Sequence, residues 1–470
     1  MTRETWATRV GFVLAAVGSA VGLGNVWRFP WVTAENGGSA FLLVYLFVVL
    51  VVGVPGLVGE FVVGRRAKRN PVGALRDLSG SRAWTAVGGV SVVTALVLLS
   101  FYSVVGGWII RYFVESALAL AGGPLPYAAN PGAYFGGVST GVDALAYHLL
   151  FLALTGAVVL GGVRRGIELG TTVMMPVVFA LLVALAAWAA TQPGATAGYA
   201  FYLSFDLATL RTNVFSVLAP AAGQALFTLS LGAGTMITYA SYLGEDRSLP
   251  VDAGTIALLN TLVGVLAGLV VFPLLFSLGV DPGSPGPGAL FVSIAGAFVR
   301  LPAGTLVASV FFGVVALAAL SSSISMLELP VAVLVDEIGL DRRRAVALSM
   351  SVFAVTGAAA ALDASVFELF AVTLVDRLLT AGLAVFLLFV GWVLGRDALA
   401  EFRAGAGPLA ARLATPWLYV VGVVLPLFLV FTLLTGVGLD ARVGFWPTVT
   451  LAVGIVLALF LAVRSPRSVL

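Results

Sequence analysis

The 470-residue sequence has no cysteine, one histidine and few charges, only 10% of its residues being Asp, Glu, Lys or Arg. Without cysteine there is neither a disulfide framework nor thiolate chemistry. One imidazole, His148, cannot build a His-rich metal centre and reads as a helix-end residue. With 60% hydrophobic residues and a mean hydropathy of +1.09, the chain is not a soluble globule. The net charge of +3 says nothing for nucleic acid, because the basic residues belong to loops. No nucleophile, histidine or metal set converges as an enzyme would require.

Apolar runs near twenty residues recur along the whole chain, the mark of a polytopic helical membrane protein. They are too long and too numerous for a transmembrane β-barrel. Twelve spans are expected, near 9–33, 39–64, 85–118, 145–163, 167–190, 214–243, 251–279, 303–335, 343–361, 366–394, 413–435 and 443–463. The first run lacks a small-residue cleavage site and reads as a span, not a removed signal. Every second loop is basic, and these loops with the termini hold 19 of the 25 Lys and Arg residues. By the positive-inside rule both termini are then cytoplasmic. Outside, 119–144 is rich in turn formers, and Ala289 to Phe298 reads as an interfacial or re-entrant helix capping a vestibule.

Two spans break the pattern. Gly18-Ser19-Ala20-Val21-Gly22-Leu23-Gly24-Asn25-Val26-Trp27-Arg28-Phe29-Pro30 puts three glycines, an arginine and a proline into what begins as a membrane helix. Glycine costs about 1 kcal/mol and proline about 3 in a helix interior, and arginine at bilayer depth at least about 2.5. Non-helical backbone is tolerated there when it lines a cavity and finds a ligand. In the sixth span, Gln224 to Thr235 again clusters polar residues and glycine at mid-depth. Broken segments in corresponding positions of two halves point to an inverted-repeat secondary transporter. The expected units are 1–190 (spans 1–5), 191–394 (spans 6–10) and an addition, 395–470 (spans 11 and 12).

Broken helices offer positive half-helix N-termini to anions and free carbonyls to cations. Asn25, Thr228, Asn260 and the triplet Ser321-Ser322-Ser323 form an oxygen-rich set without a carboxylate. Singly each is weak, since serines in membrane helices usually bond back to their own backbone.

The residues Trp6-Ala7-Thr8-Arg9, Gly22 through Pro30, Glu35-Asn36-Gly37-Gly38 and Gln224 through Tyr242 are similar to those of the neurotransmitter:sodium symporter family, the group with the leucine-transporter fold. That resemblance implies a sodium-coupled amino-acid importer in a prokaryotic cytoplasmic membrane, working by alternating access. It implies one sodium on the Ala20 carbonyl, Asn25, Thr228, Asn260 and the substrate carboxylate. A second would lie on the carbonyls of Gly18, Val21 and Ala318 with the hydroxyls of Ser321 and Ser322. The substrate carboxylate would rest on the amides of Leu23 and Gly24 and on Tyr102, and its amino group on the carbonyls of Ala20, Phe227 and Thr228 with Ser230. Leu98, Phe227, Ala233, Ser322 and Met326 would wall the pocket.

Monoamine members of the family carry aspartate where Gly22 stands, and here no acid lies between Glu4 and Glu35. An amino acid is therefore implied, and the small Ala233 favours a large apolar or aromatic one. Arg28 should pair outside with an acid of the tenth span, for which Glu368 is the nearest candidate, one turn from the expected place at Ala371. Arg3, Trp6, Tyr242 and Asp336 should close the inside. Chloride stays open: Tyr45, Gln224 and Thr228 are present as its ligands by resemblance, but Gly264 offers neither hydroxyl nor carboxylate, with Thr261 one turn before it. Two other readings also stay open, a proton-coupled transporter of the same fold and a sensor that binds without moving its ligand. Asp376 and Glu60, both within spans, are left without a role.

Overall fold

The computed structural model describes residues 5–205, 207–244, 246–277, 279, 288 and 290–464, with the backbone alone for 207–215, 290, 463 and 464. Ten helices are long and apolar enough to cross a membrane: Ser39–Ala67, Arg82–Ala119, Val142–Leu160, Val163–Ala189, Leu249–Ser277, Gly304–Ile338, Arg342–Leu362, Ala364–Leu394, Ala414–Gly436 and Phe445–Ala462. An eleventh span, first in the chain, is the bent pair Arg9–Ala20 and Gly24–Glu35, turned by 44°. The sixth of the twelve is Leu207–Thr228 followed, after a six-residue break, by Thr235–Ala240. A short apolar helix, Phe291–Arg300, precedes the eighth span. Where the two broken spans were expected to break, they break.

Local chemistry sets the ends. Thr8 caps the first span by accepting from the Gly11 amide, and Asn70 caps the helix Pro71–Ser79 by accepting from Val72 and Gly73. These are two of the residue types that best satisfy the free amides of a helix start. The Thr8 cap is itself held by Glu168, at the start of the fifth span, which accepts from the amides of Ala7 (2.8 Å) and Thr8 (3.1 Å) and from the Thr8 hydroxyl (2.9 Å). Gly11 makes this possible: a Cβ there would fall 1.8 Å from the Glu168 carboxylate.

His148 departs from expectation. It lies inside Val142–Leu160, fully buried, with Nδ1 2.8 Å from Ser103 Oγ and the ring against Gly357. A glycine on the facing helix opens a slot that the sequence of the fourth span does not reveal.

Candidate functional site

The two breaks face each other, and three oxygen-rich clusters gather around them. In the first, the Asn25 amide donates to the Asn260 carbonyl (2.8 Å) and to Asn260 Oδ1 (2.9 Å), while Asn25 Oδ1 accepts from the Gly22 amide. The Thr228 hydroxyl donates to Asn260 Oδ1 at 3.2 Å. The same Asn260 atom lies 3.1 Å from the Ala20 carbonyl and 3.2 Å from the Thr228 carbonyl. With nitrogen in that place the amide donates to both carbonyls; with oxygen there, three acceptors crowd together, an arrangement a cation stabilises.

In the second cluster the Ser321 hydroxyl reaches the carbonyls of Ala318 (2.9 Å) and Val21 (3.3 Å), and the Ser322 hydroxyl those of Gly18 (3.2 Å) and Val21 (3.1 Å). All five expected oxygens are thus joined. Between the clusters, the Leu23 amide donates to the Tyr102 hydroxyl at 3.0 Å. A Cβ on Gly22 would fall 2.2 Å from Ser322 Oγ and 2.4 Å from the Tyr102 hydroxyl. The missing side chain at Gly22 is therefore a steric requirement of this closed arrangement. The ring of Phe227 packs on Gly24, and Leu98, Ala233 and Met326 are buried in the same contiguous core. Ser230 donates to the Ser19 carbonyl at 2.8 Å.

The third cluster contains Tyr45, Gln224 and Thr261. Gln224 donates to the Gly24 carbonyl at 2.7 Å. The Tyr45 phenol lies among Thr228 and Thr261. The Tyr45 hydroxyl, Thr261 Oγ1 and Gln224 Oε1 make no hydrogen bond of good geometry although all are buried. Gly264 faces the Asn25 amide, with room for a Cβ at 3.7 Å.

On one side the site is closed by Arg28, whose guanidinium lies 4.9 Å from the Phe227 ring centroid and 2.6 Å from Asp376. This corrects the expected pairing, because Glu368 is exposed and the acid that meets Arg28 is Asp376. Asp376 follows a π-helical turn, Leu369–Leu374, whose extra residue shifts the facing register in a way that α-helical counting misses. A cavity of about 480 Å³ opens beyond the pair, lined among others by Trp31, Glu35, Thr373, Arg377 and Thr432.

On the opposite side Trp6 donates from its amide to the Tyr242 carbonyl (3.3 Å) and from its indole to the Tyr239 carbonyl (2.9 Å). The Tyr242 hydroxyl donates to Glu328 (2.9 Å), a fully buried carboxylate that Arg342 also engages at 2.5 Å. Asp336 accepts from Asn70 Nδ2 at 3.1 Å. Arg3, expected here, lies outside the described residues.

The profile of the sodium:neurotransmitter symporter family matches residues 3–128 and 140–470. The chain belongs to the sodium:neurotransmitter symporter family. It is 36% identical over 449 residues to YhdH of Bacillus subtilis, an uncharacterised sodium-dependent transporter, covering 92% of this chain and 98% of that one. It is 33% identical over 454 residues to the uncharacterised sodium-dependent transporter MJ1319 of Methanocaldococcus jannaschii, covering 91% and 89%. Among solved structures, MhsT in complex with L-phenylalanine matches with a TM-score of 0.82 at 35% identity, covering 92% of this chain and 99% of that one. The protein is therefore a multi-pass sodium symporter with the leucine-transporter fold, and not an enzyme.

Sequence reasoning about this symporter missed Glu328, Arg342 and Glu168, and left Asp376 and Glu60 unassigned. Glu60 accepts from the Gly232 amide at 2.6 Å, inside the break of the sixth span. A signal was present for the acids, though not for Arg342. An acid inside an apolar span is rare enough to imply a named partner.

Proposed function

We propose that this symporter imports an amino acid, a large apolar or aromatic one, together with sodium by alternating access across a prokaryotic cytoplasmic membrane with both termini inside. The observation that carries the reading is the pairing of the Leu23 amide and the Tyr102 hydroxyl beside a side-chain-free Gly22. Two hydrogen-bond donors and an oxygen cluster surround a spot that lacks any protein carboxylate. A substrate carboxylate fits there between the donors and a cation on Ala20, Asn25, Thr228 and Asn260, and its amino group faces the carbonyls of the broken sixth span and Ser230. The cluster of Gly18, Val21, Ala318, Ser321 and Ser322 serves a second sodium. The two halves, 1–190 and 191–394, act as the repeats, each contributing one broken helix.

L-phenylalanine in MhsT, a 35% identical relative, supports the aromatic or large apolar class. Sodium is favoured over protons because both acids once without a role have structural partners, Asp376 with Arg28 and Glu60 with Gly232. Two sodium ions crossing 100 mV and a tenfold gradient supply about 7 kcal/mol, enough for steep accumulation. Chloride is a third participant in this reading, because the buried hydroxyls of Tyr45 and Thr261 converge beside Thr228 without a hydrogen bond of good geometry; Thr261 stands in for the hydroxyl absent at Gly264. The test is a scintillation-proximity screen of amino acids with and without sodium. Sodium-dependent binding of a large apolar or aromatic amino acid, lost in Asn25→Ala, is the expected result. Binding indifferent to sodium overturns the reading, and binding without counterflow makes the protein a sensor.

A further inference from the structure

Three serines meet at a point that belongs to neither cation cluster. Ser19 Oγ lies 2.7 Å from Ser325 Oγ and 3.3 Å from Ser230 Oγ. Ser325 donates to the Ser322 carbonyl and Ser230 to the Ser19 carbonyl, both at 2.8 Å. The proton count closes: each hydroxyl donates once, the Ser19 proton going to Ser325. All three are buried, and they tie the first, sixth and eighth spans together. Ser19 sits between Gly18 and Ala20, whose carbonyls join the two cation clusters. Ser230 is held in the left-handed region, φ 53°, inside the sixth-span break, with its carbonyl accepting from Thr235. Ser325 is one turn from Ser321 and Ser322, on the side leading to Glu328, Tyr242 and Trp6.

We propose that this knot is the floor of the central site. Ser325 is a positioning residue that anchors Ser19, which in turn holds Ser230 of the sixth-span break, and its release opens the site toward Trp6 and Glu328. An apolar floor would expose bare surface on parting. A hydroxyl floor exchanges each bond for one to water, or to the ammonium group of a departing substrate, at small net cost. The knot can therefore be tight when dry and reversible when wetted. The substrate part of this inference rests on the amino-acid reading above; the closure part rests on the serine geometry alone.

The test uses the full chain in lipid nanodiscs and follows hydrogen–deuterium exchange in the peptides covering 9–20 and 235–242. In sodium alone, Ser325→Ala and Ser19→Ala should each speed exchange about five-fold, the equivalent of one buried hydrogen bond. The double variant should go no further than either single one, as expected for partners in one interaction. Ser325→Thr, which keeps the hydroxyl, should return to within about two-fold of the parent. Ser323→Ala is the control, because that hydroxyl bonds the Leu320 carbonyl and Thr155 on the fourth span. In the same variants, equilibrium binding of L-phenylalanine should change less than about three-fold while counterflow changes more. No acceleration in Ser325→Ala, or equal acceleration in Ser323→Ala, overturns the knot. A parent protein whose exchange responds to sodium but to no amino acid overturns the reading of the central site and leaves the closure result to stand or fall on the sodium-only arm.

Discussion

The two helix breaks differ in what holds them. The first is short, resuming as a π-helical turn at Gly24, and its exposed carbonyls point into oxygen clusters that no cationic side chain among the described residues meets. The sixth-span break is longer and takes three residues into the left-handed region, Ser230, Gly232 and Gly234, with φ of 53°, 84° and 80°. It is held by protein, through Glu60 on the Gly232 amide and Thr235 on the Ser230 carbonyl. Under the proposed function, the first break is completed mainly by what the transporter carries, while the second is held mainly by the protein itself. On that reading, occupancy would alter the first span, and the sixth would supply the firmer template against which the alteration is read.

Five variants, with Glu368→Gln as a control, probe the contrast. Gly22→Ala should abolish uptake, with a loss on the order of 100-fold, since its Cβ would strike Ser322 and Tyr102; initial rates in proteoliposomes report this. Glu60→Ala should destabilise the fold by about 2–3 kcal/mol by stranding a buried amide, seen as a lower Tm at every sodium concentration. If sodium rescues that Tm fully, the sixth-span break is not held mainly by the protein. Asp376→Asn should weaken the outer closure and raise the off-rate of bound amino acid about tenfold, whereas Glu368→Gln should leave it unchanged. Ala233→Phe should shift preference toward smaller amino acids by about tenfold, within the range that a few methylenes discriminate; an unchanged competition profile counts against the pocket assignment. The smallest effect is expected for Gly264→Glu. It should leave sodium-driven uptake nearly intact while removing any loss on replacing chloride with gluconate, because its carboxylate would stand in for the anion near Asn25.

Much of this architecture is written locally. Hydropathy marks the spans, and clustered glycine and proline mark the breaks. The side-chain oxygens of Asn25, Thr228, Asn260, Ser321 and Ser322 were legible as polar residues in apolar spans, whereas their grouping with the carbonyls of Gly18, Ala20, Val21 and Ala318 came from the family resemblance. The pairings that close the molecule were not legible. Arg28 with Asp376, Tyr242 with Glu328, and Ser19 with Ser325 join residues that are 348, 86 and 306 positions apart. No periodicity encodes such a contact. The π-helical turn before Asp376 makes matters worse, because one added residue rotates everything after it away from its α-helical facing. His148 was misread for a related reason: its space is provided by Gly357 on another helix.

The grip of Glu168 on Ala7 and Thr8 has a practical side. The first helix of the first span is a lever whose tip is moored by Glu168 on Ala7 and Thr8 and by Trp6 on Tyr239 and Tyr242. A displacement of that mooring would be carried along twelve residues, Arg9 to Ala20, to the carbonyls of Gly18 and Ala20. A reporter on a short tether ahead of Thr5 should therefore shift the resting position of that helix, seen as altered exchange in the peptide covering 9–20.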